Sequence, residues 1–504
     1  MLRRILDLPF IVILMGIGSL AMYVPAGHAL TERQYAVAQV FFYSGTLFLI
    51  FTVLIGIATA ANRPGHIARN HLLTLVAAFV LLPVMLAVPL AEAVPDTSYF
   101  NAWWEMVASF TTTGATLFEP GRLPGSVHLW RALVGWLGGF FVLVTAVAVL
   151  APMNLGGFEV LSGSPVGQGV LIGGQNTQKI DTSERLTRYT SWIFPPYAGL
   201  TLGLWIALIL AGDAPLVAAC HAMSTLATSG ISPVGGLGQA ASGHSGEAII
   251  FVFLVFGLSR RLMPSLAGTA RDGFLADPEL RLAVLIVASV PLLLFLRHWI
   301  GALEVDDIQD TSAALRALWG SVFTVLSFLT TTGFESADWG AVQHWSGLPT
   351  PGLVLAGLAV IGGGVATTAG GVKLLRVYAL YRHGEREIER LVHPNSIGGS
   401  GVQARRLRRQ GAQMAWIFFM LFALSIAVTM LALSLTGLDF EGSTVFAVAA
   451  LSTTGPLASV AAETPLSWAS LDSAARTIVA LAMVVGRLET LAFIALLNPE
   501  FWRG

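Results

Sequence analysis

In this 504-residue chain, the residues whose type and spacing could do chemistry are four short hydroxyl runs that each end in glycine. Ser109-Phe110-Thr111-Thr112-Thr113-Gly114-Ala115-Thr116 and Ser327-Phe328-Leu329-Thr330-Thr331-Thr332-Gly333-Phe334 are the fullest copies. Ala227-Thr228-Ser229-Gly230-Ile231 and Ser452-Thr453-Thr454-Gly455-Pro456 are looser ones. The four glycines stand 116, 103 and 122 residues apart. Glycine admits an extended or left-handed backbone with no Cβ in the way. Neighbouring Thr and Ser hydroxyls bond locally and hold carbonyls in place. Four such turns around one axis would stack rings of oxygens that replace the water around a dehydrated monovalent cation. None of the four motifs carries a charged side chain. The candidate ligands are Thr112, Thr113 and Gly114, then Thr228, Ser229 and Gly230, then Thr331, Thr332 and Gly333, then Thr453, Thr454 and Gly455. A single Thr–Gly pair would only let membrane helices pack closely; four in the same place of a repeating unit argue for a shared cavity.

The elements that must position these runs are apolar helices. The chain is 55% hydrophobic and 11% charged, with a mean hydropathy of +0.73, against about 25% charged in a soluble protein. Apolar runs of roughly 20 residues recur along the length, which marks an all-α polytopic membrane protein. A helix pair is expected at 8–26 and 36–61, within an amino-terminal unit 1–66. A cleaved signal sequence is the alternative reading of the first helix, which we take as retained. Four units follow, at 67–160, 185–275, 278–395 and 405–504, each a long helix, a half-helix, a glycine turn and a second long helix. The expected pieces are 70–92, 99–112 and 126–152; 188–211, 215–228 and 246–269; 281–301, 312–331 and 349–382; 412–436, 441–453 and 473–497. Irregular backbone survives in a bilayer only where protein or water satisfies it, so the four turns should line one cavity.

Two further stretches stand out. Gly362-Gly363-Gly364-Val365-Ala366-Thr367-Thr368-Ala369-Gly370-Gly371-Val372-Lys373 should break the last helix of the third unit. Arg487 lies in the final apolar helix, where an ionisable residue is costly and points to function; local pairing with Glu489 is the plainer reading. Arg260-Arg261 reads as a charge anchor at a helix end, and Gly138-Gly139 as a close packing site. Basic residues gather on one set of loops, from Arg3 and Arg4 to the Arg382–Arg409 segment, which places the amino terminus in the cytoplasm by the positive-inside rule. Acidic residues, among them Glu92, Asp96, Glu119, Asp439 and Glu441, gather on the other side. They read as solvated loops or as a shallow field that concentrates cations.

The filter-like motifs around Gly114 and Gly333 resemble those of the TrkH/KtrB/HKT superfamily of potassium transporters, and the helix pair ahead of them resembles its bacterial TrkH-type subunits. The resemblance covers essentially the whole chain. It implies four helix–pore-loop–helix repeats around a central pore, K+ as the transported ion, and a homodimer in the bacterial inner membrane. It also implies a cytosolic TrkA-type subunit that reads nucleotide, for which Arg382–Arg409 is a docking candidate and a lipid anchor the alternative. In plant members, serine at the first filter glycine accompanies sodium transport; all four positions here are glycine. The Gly362–Lys373 run resembles the family's intramembrane loop, so Gly362, Gly363, Gly364, Thr367, Thr368, Gly370, Gly371 and Lys373 are assigned to a gate, with Arg487 as the pore-facing arginine. The second and fourth turns depart most from the pattern, and the deviation in ion contacts is expected at Gly230.

No nucleotide-binding motif and no metalloprotease or serine-hydrolase motif is present. The chain therefore reads as no enzyme, with no covalent cofactor, nucleotide acting only through a partner, and no nucleic-acid partner. The competing reading is a secondary transporter, sodium-coupled or sodium-transporting, although two inverted halves would be expected there. Cys220 next to His221 reads as packing rather than a metal site.

Overall fold

The computed structural model describes residues 9–59, 67–153, 157–160, 182–262, 277–302, 311–346, 351–393 and 409–488. These residues are helices and turns, with no strand among them. Among the described residues, seven helices are long and apolar enough to cross a membrane, including Phe10–Thr31, Tyr35–Thr59, Gly125–Leu150 and Gly411–Ser434. The amino-terminal pair packs onto the first unit: Gly18 faces Met85 and Leu86, and the Phe10 ring stacks on Phe141 at 5.9 Å. The first of these helices runs on to Thr31, past the expected end at 26. Pro25 falls in the opening turn of its second segment, Tyr23–Thr31, where a missing N–H costs little.

Four short helices, Tyr99–Phe110, Pro215–Ala227, Thr311–Leu329 and Phe440–Leu451, lie at the centre. Their carboxyl-terminal halves are buried on all sides, as expected of helices that are apolar all round. Ser98 and Asp439 cap the first and fourth by accepting from Asn101 N and Gly442 N. Such caps contribute about 1 kcal/mol each. The long helices surround them. Gly138 and Gly139 bring Gly125–Thr145 against Phe110 and Ala227, the ends of the first two short helices; a Cβ on Gly138 would overlap the Phe110 carbonyl. The close packing expected at this pair is therefore present.

One expectation needs correction. The helix placed at 246–269 is α-helical only over Gly243–Leu254 and then tightens into 3-10 turns. The Gly257 carbonyl is taken by Gly364 N and Thr367 Oγ1, so it is not available to continue the helix. Residues 263–269 lie outside the described residues. The stretch 349–382 is two helices, Gly352–Ile361 and Leu374–Val392, with the glycine run between them unwound as expected. The structure adds two helices not foreseen, Trp339–Ser346 and Leu457–Val460, each in the segment leaving a turn.

Candidate functional site

Each short helix ends in the same way. The residue two before the turn glycine is a threonine with positive φ: Thr112 (55°), Thr228 (50°), Thr331 (56°) and Thr453 (55°). The threonine amide bonds back three residues, and the next amide bonds back five. The pairs are Thr112 N–Ser109 O and Thr113 N–Ala108 O, Thr228 N–Thr225 O and Ser229 N–Ser224 O. Thr331 N–Phe328 O with Thr332 N–Ser327 O, and Thr453 N–Ala450 O with Thr454 N–Ala449 O, complete the set. This double bond is the Schellman helix stop, whose left-handed position is usually glycine. A β-branched residue there is an outlier that costs about 1–2 kcal/mol. Four in one register point to a functional requirement for the threonine side chain. The hydroxyls of Thr112 and Thr453 are buried with no hydrogen-bond partner among the described residues, whereas Thr228 Oγ1 donates to Ala227 O and Thr331 Oγ1 accepts from Gly370 N.

The glycines close the four turns into a ring. A Cβ on Gly114 would overlap the Ser229 carbonyl, one on Gly230 the Thr332 carbonyl, and one on Gly455 the Thr113 carbonyl and Ala115 N. A Cβ on Gly333 would sit 3.0 Å from the Pro456 ring. The order is first to second, second to third, third to fourth, and fourth back to first. All twelve candidate ligands thus come together, and the eleven outside Gly230 are buried.

Side chains brace the turns. Thr111 Oγ1 lies 2.9 Å from Thr113 Oγ1, Thr330 Oγ1 3.0 Å from Thr332 Oγ1, and Ser452 Oγ 3.3 Å from Thr454 Oγ1. In the second turn Ala227 stands at that place and cannot bond; Ser224 braces Ser229 at 3.1 Å instead. The second turn therefore keeps the same backbone despite its looser sequence, with Gly230 at φ 65° beside Gly114 at 71° and Gly333 at 80°. Of the two turns expected to be looser, it is the fourth whose backbone departs. Gly455 is absent from the positive-φ residues, and Pro456 starts the helix Leu457–Val460 at once. Leu457 N and Ala458 N take the Thr454 and Gly455 carbonyls, Trp468 Nε1 also donates to Gly455 O, and Gly455 N donates to Thr113 O at 2.6 Å.

The unwound Gly362–Lys373 run lies against the helix side of this ring. Gly370 N donates to Thr331 Oγ1 at 2.7 Å, Thr368 Oγ1 to Leu226 O at 3.0 Å, and Thr367 Oγ1 to Gly257 O at 3.1 Å. A Cβ on Gly370 would overlap the Ser452 carbonyl and Thr453 Oγ1. The run therefore touches the second, third and fourth units. It closes on itself through Val372 N–Val360 O, Lys373 N–Ile361 O and Leu374 N–Gly363 O. Lys373, buried, bonds the Ala369 carbonyl through Nζ. Glu279, also buried, accepts Val365 N at 2.8 Å. Arg487 is buried on the helix Ser473–Leu488, beside Leu451 at the end of the fourth short helix, where Gly486 packs on the Leu451 carbonyl. Its Nε and Nη2 have no hydrogen-bond partner among the described residues. Glu489, the alternative partner, lies outside the described residues.

Other sequence candidates fall elsewhere. His221 Nε2 meets Ser232 Oγ at 2.9 Å, and no group of three metal-ligating side chains occurs among the described residues. Arg261 Nε is 4.0 Å from Asp277, and the Arg260 guanidinium lies 4.8 Å over the Phe158 ring. Asp439 caps a helix and Glu441 accepts Glu463 N, so these two acids have structural duties at this end of the unit. Sequence reasoning missed the buried charges Glu105, Arg131, Glu247 and Glu279; the signal available was an ionisable residue inside an apolar helix.

An all-helical, multi-pass membrane fold with a four-part ring of strained threonine–glycine turns defines a class, the pore-loop cation transporters. The family model described as TrkH, a cation transport protein, matches residues 267–501. The Trk system potassium uptake protein TrkH of Salmonella typhimurium is 31% identical over 412 residues, covering 81% of this chain and 80% of its own. TrkG of Escherichia coli is 27% identical and covers 96% of both chains. The crystal structure of the potassium transporter TrkH from Vibrio parahaemolyticus superposes with a TM-score of 0.80 over the whole of both chains, at 26% identity. The chain belongs to the TrkH family of cation transport proteins.

Proposed function

We propose that the chain takes up K+ through a selectivity filter built from the four turns, one in each of the repeats 67–160, 185–275, 278–395 and 405–504. The observation that carries this is the closed ring, in which each turn glycine abuts the next turn. A ring of backbone oxygens and buried threonine hydroxyls suits a dehydrated monovalent cation. The Thr112 and Thr453 hydroxyls, without a hydrogen-bond partner among the described residues, can serve it. The names of the relatives, potassium uptake proteins and a potassium transporter, support K+ as the cargo. Permeation is channel-like in this reading.

The Gly362–Lys373 loop and Arg487 form the gate. The loop, bonded to the second and third units and packed against the fourth, blocks the path, and the buried Arg487 charge adds an electrostatic barrier to a cation. The amino terminus is cytoplasmic and the membrane is the bacterial inner membrane. The protein acts as a homodimer with a cytosolic TrkA-type subunit, through which nucleotide acts. Part of the docking candidate is already engaged: Arg382 pairs with Glu385 and Arg390 with Glu387 on the same helix.

The test is growth of a K+-uptake-deficient bacterium at low external potassium. Expression of the chain with its partner should restore growth. Growth that needs sodium at every potassium level would favour the sodium-coupled alternative.

A further inference from the structure

One position recurs in all four short helices, nine residues before the turn glycine: Glu105, His221, Thr324 and Phe446. All four are buried, the first three completely. The first three bond the chain as it leaves the turn. Glu105 Oε2 accepts Leu117 N at 3.1 Å, His221 Nε2 meets Ser232 Oγ at 2.9 Å, and Thr324 Oγ1 accepts Ser336 N at 3.3 Å. In the fourth, Phe446 packs on Trp468 at 4.7 Å between ring centroids, and the Trp468 indole donates to Gly455 O. Four different chemistries thus perform one task, tying the short helix to the segment beyond the glycine.

In the first and third repeats the tie includes a buried carboxylate; in the second, His221 Nδ1 lies 3.9 Å from the buried Asp213, and in the fourth the tie is aromatic. Arg131 Nε lies 2.6 Å from Glu105 Oε1, with side chains only 3% and 0% exposed. Glu247 stands at the equivalent place in the second repeat, seventeen residues after the turn glycine as Arg131 is in the first. It reaches across to the third repeat, where it accepts Trp319 Nε1 at 3.0 Å, Ser336 Oγ at 2.8 Å and Ala337 N at 2.6 Å. Buried charges are a weak source of stability, because desolvation offsets their attraction. Charge-assisted bonds are shorter and stronger than neutral ones, so they fix geometry. Leu117 and Ser336 each lie three residues past a turn glycine. Holding them fixes where Gly114 and Gly333 place their carbonyls.

We infer that Glu105, held by Arg131, and Glu247 are positioning residues that determine ion selectivity. They set the spacing of the first and third turns, and with it the preference for K+ over smaller cations. The inference rests on the reading of the four turns as a filter. Neither carboxylate touches the ion; each acts through the backbone it holds.

The experiment is cation flux into proteoliposomes containing the purified full-length chain, with Na+ and Rb+ competed against K+. Glu105→Gln/Arg131→Gln removes both charges together and leaves no lone buried cation. Glu247→Gln removes one acceptor from three neutral donors. Each should still carry K+ at a reduced rate but lose about tenfold in K+/Na+ discrimination, the scale of one or two lost charge-assisted hydrogen bonds. Glu105→Asp, which keeps the charge, should lose less. Wild-type ion ratios in folded Glu247→Gln and in the double variant would overturn the inference. If the double variant does not fold, Glu247→Gln decides alone. Gly333→Ser serves as the filter control. Lost discrimination there with wild-type ratios in the carboxylate variants sinks only this inference; wild-type ratios throughout sink the filter reading as well.

Discussion

The amide of Gly370 donates to the hydroxyl of Thr331 across 2.7 Å, so the intramembrane loop is hydrogen-bonded directly to a left-handed threonine of the third turn. The obstruction and the ring are therefore one connected structure. Whatever moves the loop frees a Thr331 oxygen that is otherwise occupied.

Gly370→Ala tests that connection. Its Cβ would overlap the Ser452 carbonyl and Thr453 Oγ1, so the loop must shift away from the ring. The expected outcome is a raised basal K+ leak in proteoliposomes. An unaltered leak in a folded variant would separate the loop from the gate.

Arg487→Ala removes a buried cation whose Nε and Nη2 have no hydrogen-bond partner among the described residues. No hydrogen bond of these atoms to those residues is lost, so thermal stability should hold or rise. Flux should increase severalfold if the charge is a barrier of about 1 kcal/mol, since 1.4 kcal/mol is tenfold. Flux that stays level or falls would remove Arg487 from the gate.

The turn glycines should differ in tolerance. Gly114→Ala puts a Cβ onto the Ser229 carbonyl at a φ of 71°, whereas Gly333→Ala meets the Pro456 ring at 3.0 Å. Overpacking costs about 1–3 kcal/mol and a left-handed alanine about 1–2 more. Thermal unfolding should rank Gly114→Ala as the more damaging. The reverse order would contradict the ring geometry.

Trp468→Phe should lose one indole bond to Gly455 O. Ala458 N still donates to that carbonyl, so the loss is about 0.5–1.5 kcal/mol of stability, with ion ratios little changed. A large loss of selectivity would show that the fourth turn contributes to the filter as fully as the others.

Much of this was legible in the sequence because the signals were periodic. Apolar runs set the helices, and the glycine run in 362–373 marked its own break. The left-handed threonines were not legible: glycine is the usual carrier of positive φ, and nothing in Thr112 or Thr453 marks it locally as strained. The second turn looked weakest because Ala227 replaces a hydroxyl, yet Ser224, five residues before Ser229, supplies the brace from the helix. The fourth turn deviates because Pro456 nucleates a helix that captures carbonyls, a consequence of tertiary closure onto Thr113. Partners far apart in sequence, such as Glu247 with Ser336, leave no local trace.

The most direct test of the central claim is anomalous diffraction from crystals soaked in a heavy K+ substitute such as thallium. The account places bound ions within the ring, between Thr112–Gly114, Thr228–Gly230, Thr331–Gly333 and the Thr453–Gly455 turn, with the weakest contribution from Gly455. Anomalous peaks confined to other parts of the molecule, with none inside the ring, would contradict it.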